Sequence, residues 1–116
     1  MTRSYCHRGG RRPLIWVTIP EYLGAAAARF ADREAVVSLH QGVRLTYAQL
    51  DQQVKRATRA LLAAGFGPGD RVAVWSTNNA EWIVLQLATA RAGVILVVDD
   101  AGWLHSGDLG WMDEEG

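Results

Sequence analysis

Apolar positions along this chain alternate between helical and strand-like spacing. Ile19, Leu23, Ala26 or Ala27, and Phe30 recur at helical spacing and predict a helix with one apolar face. Thr18-Ile19-Pro20-Glu21 supplies its start: Thr18 can cap, Pro20 sits in the first turn, and Glu21 can reach back to the cap amide. Glu34 to Leu39 reads as a strand centred on Ala35-Val36-Val37, Gln41-Gly42 as a turn, and Val43-Arg44-Leu45 as the returning partner. The second helix has the strongest pattern. Thr46-Tyr47-Ala48-Gln49 forms a capping box, and Tyr47, Leu50, Val54, Ala57, Leu61 and Ala64 then follow at spacings of three and four. Asp51, Gln52, Lys55, Arg56 and Arg59 take the opposite, polar face, and Gly65 ends the helix in the left-handed conformation.

Gly67-Pro68-Gly69-Asp70 turns the chain into the apolar strand Arg71-Val72-Ala73-Val74-Trp75. Asn78 or Asn79 can cap a third helix through about Arg91, Gly93 closes it, and Val94 to Val98 is a β-branched run. Strand, helix and strand at this length predict a right-handed βαβ unit from about Arg71 to Val98, its parallel strands covered on both faces. The third helix has almost no polar face across Trp82, Ile83, Val84, Leu85, Leu87 and Ala88, so it is expected to have neighbours all round. The expected fold is therefore α/β, with two capped helices, a short β-hairpin, one βαβ unit and an irregular C-terminal tail.

A chain of 116 residues makes one small domain at most. Its 12 basic and 12 acidic residues cancel, which removes any strong overall field toward nucleic acid or membrane. The charges are nevertheless segregated. Arg3, Arg8, Arg11 and Arg12 precede the first acid, Glu21, whereas the chain from Asp99 onward holds six acids and no Lys or Arg. A basic arm can touch phosphates, but no nucleic-acid-reading motif follows it, so no nucleic-acid partner is expected. A single cysteine, Cys6, excludes an internal disulfide and a multi-cysteine zinc site. No apolar run approaches the roughly 18 residues of a membrane span. Leu14 to Val17, ended by Pro20, is too short for the apolar core of a secretory signal, which takes about 7–15 residues. The expectation is a reduced, cytoplasmic protein.

Most of the candidate chemistry weakens on inspection. Gly65-Phe66-Gly67-Pro68-Gly69 follows a helix and opens a strand, the reverse of a phosphate cradle, and Pro68 removes an amide. Ser76 stands where a nucleophile elbow would, without the flanking glycines of that turn. Cys6 and His7 lie in an arm without a fixed electropositive pocket. Asp113-Glu114-Glu115 lacks the alternation of a calcium loop. His105, Ser106 and Asp108 are neighbours in one extended segment, which does not converge as a triad does. Asp108 remains. In the Ser106-Gly107-Asp108 turn, Gly107 permits close backbone approach, and the carboxylate can accept two hydrogen bonds from the vicinal diol of a ribose. The alternative is a plain turn aspartate.

Several stretches together carry a resemblance. Thr18-Ile-Pro-Glu-Tyr-Leu, Arg44-Leu-Thr-Tyr-Ala-Gln-Leu, Gly67-Pro-Gly-Asp-Arg-Val-Ala-Val-Trp-Ser-Thr-Asn, Glu81-Trp and Ala88-Thr-Ala-Arg-Ala-Gly-Val-Ile-Leu-Val resemble the N-terminal region of AMP-forming acyl-CoA synthetases, particularly fatty-acid–CoA ligases. Ser4-Tyr5-Cys6-His7 is similar to the start of medium-chain and related members. Gly102-Trp-Leu-His-Ser-Gly-Asp resembles the family's Trp-x-x-Thr-Gly-Asp segment, with Ser106 where threonine is usual. The resemblance implies ATP-dependent adenylation of a carboxylate followed by transfer to CoA, with fatty acid, ATP, magnesium and CoA as the family's partners.

The resemblance also implies a division of the chain into an arm (1–17), the N-terminal part of an AMP-binding domain (18–98), and a displaced segment from the end of that domain (99–116). In the family these last two lie far apart, so an internally deleted, C-terminally truncated remnant is expected. The family's phosphate loop ending in lysine, its Thr-Glu segment and its C-terminal-domain lysine have no counterpart here. Lys55, the only lysine, lies on a polar helix face. Only Ser106, Gly107 and Asp108 carry over, as a vestigial nucleotide contact. The expectation is a chain without catalytic residues, bound metal or cofactor of its own. The alternative is a small interaction module that uses the open βαβ edge, with self-association through exposed apolar surface.

Overall fold

In the computed structural model, residues 15–74 and 76–97 are described. The elements follow in the order α1 (Ile19–Arg29), β1 (Glu34–Ser38), β2 (Val43–Thr46), α2 (Tyr47–Ala63), β3 (Arg71–Ala73), α3 (Ala80–Ala92) and β4 (Ile95–Val97). They form an α/β fold with two separate two-stranded sheets, β1–β2 antiparallel and β3–β4 parallel.

The helix boundaries come from local chemistry. At α1, Glu21 Oε2 accepts from the Thr18 amide at 2.8 Å while Thr18 Oγ1 accepts from the Glu21 amide at 3.4 Å. At α2, Thr46 and Gln49 make the same reciprocal pair at 3.3 and 2.9 Å. Each box satisfies two amides that a helix start leaves without partners. Gly65, at φ +93°, stops α2: its N–H donates to Leu62 O, and the Phe66 N–H reaches back to Leu61 O. This paired closure requires a left-handed residue.

The hairpin carries Val36↔Leu45, Val37↔Arg44 and Ser38↔Val43 opposite one another, with an irregularity between Glu34 and Val36. Val36 and Leu45 turn inward and join Leu23, Leu50, Val54, Ala80 and Ala88 in the core. Val54 and Ala88 are fully enclosed, so α2 and α3 meet closely through a small residue. Thr58 sits in the same seam, its hydroxyl donating to Val54 O at 2.8 Å and lying 3.4 Å from Ala88 O. Asp51, only 13% exposed in its side chain, accepts from Arg91 on α3 at 3.2 Å and pairs with Lys55 at 2.6 Å.

The βαβ unit is parallel, as the strand–helix–strand order requires, with Arg71↔Ile95, Val72↔Leu96 and Ala73↔Val97 in register. Gly67-Pro68-Gly69-Asp70 is a turn in which the Asp70 N–H donates to Gly67 O, with Pro68 leading and Gly69 at φ +90°.

Five expectations need correction. The strands of the unit are three residues each rather than five; Trp75 and Val98 lie outside the described residues. They are not covered on both faces, since Arg71, Ala73 and Ile95 are exposed: two strands and one packed helix cannot enclose both sides. Helix α3 is not surrounded. Ala80, Ala88, Thr89 and Ala92 are buried, while Trp82, Val84, Leu85 and Leu87 are half-buried and Ile83 is exposed. Ile19 does not reach the core; it is 62% exposed at the first turn of α1. Ala64 caps α2 from an exposed position rather than extending its apolar face.

Candidate functional site

The residues that the sequence singles out for nucleotide contact, Ser106, Gly107 and Asp108, lie outside the described residues, as do Cys6, His7, His105, Trp103, Trp111 and the terminal acids. Within the described residues, the place to look is the C-terminal end of the parallel strands, where α3 begins, because open α/β sheets bind ligands there.

Helix α3 begins at a densely bonded corner. Asn79 Oδ1 accepts from the Trp82 amide at 2.9 Å, which selects Asn79 over Asn78 as the cap. Gln41, from the turn between β1 and β2, accepts from the Ala80 amide through Oε1 at 2.8 Å. The same oxygen accepts from the Ser38 hydroxyl at 2.8 Å, and Gln41 Nε2 donates to Glu81 Oε2 at 2.8 Å. Ser76 Oγ accepts from Asn79 Nδ2 at 2.6 Å and donates to Thr77 O at 3.0 Å. Its hydroxyl serves the turn, and its partners include no general base. The amides that would receive an anion at this helix start already hold side-chain oxygens, so the corner is built for structure.

Gln41 is the residue that sequence reading missed: it appears there as a turn residue, and nothing local points to a helix 39 residues onward. Replacing Gln41 with Ala should therefore cost about 1–2 kcal/mol, the range for a lost helix cap, because the Ala80 amide is left buried without its acceptor. The Gln41 amide also holds the Glu81 carboxyl below the usual carboxylate range. A lowered carboxyl pKa contributes stability that is present above the ordinary value and lost as pH falls through the lowered one. The Gln41→Ala variant should thus lose this share of the acid-side slope of its thermal midpoint. An unchanged midpoint and slope would show that Gln41 does not hold the helix start.

The glycine cluster is committed in the same way. The Gly67 amide donates to Asp70 Oδ2 at 2.7 Å, and the Gly69 amide donates to Gly93 O at 2.9 Å. Lys55 is held 2.6 Å from Asp51 on the α2 surface. No set of three or more His, Cys, Asp or Glu side chains gathers as metal ligands among the described residues. The described residues leave no spare amides at the α3 corner or at Gly67 and Gly69 for the phosphates of ATP, since those amides are bound within the fold. They do form an apolar groove of about 420 Å³ between α1 and the start of α2, lined by Ile15, Val17, Ile19, Tyr22, Phe30 and Tyr47 among others.

Known proteins place this architecture. The chain is 44% identical over 97 residues to the mitochondrial medium-chain acyl-CoA ligase ACSF2 of Danio rerio, covering 84% of this chain and 16% of that protein. It is 49% identical over 84 residues to its Mus musculus counterpart, covering 72% of this chain and 14% of that protein. Among solved structures, a fatty acyl CoA synthetase of Mycobacterium tuberculosis superposes with a TM-score of 0.68 at 31% identity, over 72% of this chain and 16% of that one. The chain thus spans about one sixth of the length of such relatives. The family described as AMP-binding enzyme matches residues 23–106, and the chain belongs to it.

Proposed function

We propose that this chain is a piece of the scaffold of an ATP-dependent fatty-acid–CoA ligase and that, alone, it does not form acyl-CoA. The observation that carries the first half is the identity of 44–49% to medium-chain acyl-CoA ligases. The family match over residues 23–106 spans α2, the Gly-Pro-Gly-Asp turn and the βαβ unit. In this reading, residues 18–98 and 99–116 adjoin through an internal deletion, and Ser106, Gly107 and Asp108 are a residual ribose contact.

The second half rests on chemistry. Moving an adenylyl group needs amides and cations fixed around phosphates before the reaction begins. The only lysine of the chain is paired with Asp51, and the amides of Gly67 and Gly69 are engaged within the fold. One carboxylate on a ribose does not lower a phosphoryl-transfer barrier.

The purified chain, given ATP, magnesium, CoA and a medium-chain fatty acid in excess, should show no ATP–pyrophosphate exchange, and Asp108→Ala should change nothing. Exchange above background that vanishes in Asp108→Ala would overturn this reading. A second reading, a self-associating module, is favoured by the two-stranded β3–β4 sheet with Ile95 44% exposed. Unpaired strand edges recruit further strands. Size-exclusion chromatography separates the two readings: a module gives one defined species, a scaffold piece a spread of aggregates.

A further inference from the structure

The described residues form two open apolar grooves. One, of about 540 Å³ between β1 and the start of α3, includes Val37, Leu39 and Ile83, and no Arg or Lys lines it. The other, of about 420 Å³, is bordered by Ile15, Val17, Ile19 and Tyr22 and walled by Phe30 and Tyr47. Only this second groove has cations at its wall: the guanidinium groups of Arg29 and Arg33 lie 5.1 and 5.2 Å from the Phe30 ring centroid. A guanidinium stacked on a ring through its face keeps its edge N–H groups for an outside acceptor. The three ion pairs among the described residues join Arg44 to Glu34, and Lys55 and Arg91 to Asp51, so none engages Arg29 or Arg33.

The chain itself carries the complement of this groove. Residues 99–116 hold six acids and no Lys or Arg, interleaved with Trp103, Leu104, Leu109, Trp111 and Met112. Reach is sufficient. Leu87 lines the groove and β4 ends at Val97, at most about 36 Å further along the chain. The residues after Val97 span roughly 60 Å when extended. Tethering also presents the segment at an effective concentration in about the millimolar range, so modest complementarity suffices. Charge disfavours the other occupants. Residues 1–14 carry Arg3, Arg8, Arg11 and Arg12 without an acid, and a second copy placed groove to groove would bring four guanidinium groups together.

We propose that residues 99–116 fold back onto the groove beside α1, seating apolar side chains against Ile19, Tyr22 and Phe30 while their carboxylates pair with Arg29 and Arg33. Apolar burial gives the contact its strength, and the opposite charges choose this groove over the one beside β1. The proposal does not depend on the ligase reading.

The test is NMR on the ¹⁵N-labelled full chain carrying Cys6→Ser and Gly116→Cys, with a nitroxide attached at position 116. The nitroxide should cause loss of the Tyr22 and Phe30 amide signals and spare those of Leu39 and Ile83, and raised salt should restore the lost signals. Arg29→Glu/Arg33→Glu should restore them as well. Adding Asp113→Lys/Glu114→Lys/Glu115→Lys to that variant should bring the loss back, which a merely structural effect of the arginines would not do. If the charge-reversed chain fails to fold, Ile19→Ser/Tyr22→Ser and the salt titration of the parent decide. Loss at Leu39 and Ile83 instead, or no loss at α1, overturns the proposal. So does equal loss in a mixture of nitroxide-bearing unlabelled chain with ¹⁵N chain lacking the nitroxide, which would assign the groove to a second copy.

Discussion

Replacing Leu50 with Ala should destabilise the domain by about 2–5 kcal/mol, enough to unfold much of a small domain. Leu50 is 4% exposed and stands in the first turns of α2, within the cluster formed by Leu23, Val36, Leu45 and Val54. That cluster joins α1, the hairpin and α2, so a cavity there weakens three contacts together. The cost depends on how far the neighbours can close in, and β-branched Val36 and Val54 have little rotamer freedom with which to do so. Leu62→Ala is the matched control. It removes the same atoms from the same helix at a position 49% exposed, so it should cost far less. Urea unfolding followed by circular dichroism should show the midpoint falling for Leu50→Ala and barely moving for Leu62→Ala. Equal shifts would mean that the packing of α2 against the hairpin does not hold the domain together.

Gly93→Ala should be the costliest single-methyl addition, at about 2 kcal/mol, and lower Tm by roughly 8–16 °C. Two effects combine. Gly93 closes α3 at φ +73°, a conformation that an L side chain enters at a cost of about 1–2 kcal/mol. A Cβ there would also stand 3.3 Å from Pro68 Cβ and 3.4 Å from Pro68 Cα. Pro68 cannot easily yield, because its turn is tied down by the Gly69 amide on Gly93 O and the Ile95 amide on Asp70 O. Gly42→Ala separates the effects. Gly42 has a similar φ of +65° and no atom within 4 Å of the added carbon, so it should pay the conformational cost alone. If the two variants fall equally, the approach of Pro68 to α3 contributes nothing.

What the sequence discloses and what it hides divide along the range of the interaction. Thr18 with Glu21 and Thr46 with Gln49 act within one helical turn, and Gly65 and Gly93 act on their own backbone. Their signals are therefore complete in a few adjacent residues, and the structure places each as expected. The parallel pairing of β3 with β4 is also legible, because strand–helix–strand at that length leaves few alternatives.

Long-range partners are not legible in this way. Asp51 reads as a polar-face residue, yet it lies with Thr58 in the α2–α3 seam, where Arg91 and the Ala88 carbonyl meet them. Gln41 looks like a turn residue and caps a distant helix. Ile19 fits the helical period but falls outside the core, since periodicity shows which residues share a face and not how far that face is covered. For the nucleotide contact, Ser106, Gly107 and Asp108 are marked by resemblance alone, outside the described residues.

If residues 18–97 are ligase scaffold without phosphate machinery, as proposed, they should work when grafted into a complete enzyme. Residues 18–97 should replace the matching stretch of a complete medium-chain acyl-CoA ligase, and fatty-acid-dependent ATP–pyrophosphate exchange should be measured on the chimaera beside the isolated chain. Exchange is expected in the chimaera within about tenfold of the parent ligase, a barrier change of roughly 1.4 kcal/mol, and none in the isolated chain. A folded chimaera without exchange, or an isolated chain that exchanges by itself, would contradict the proposal.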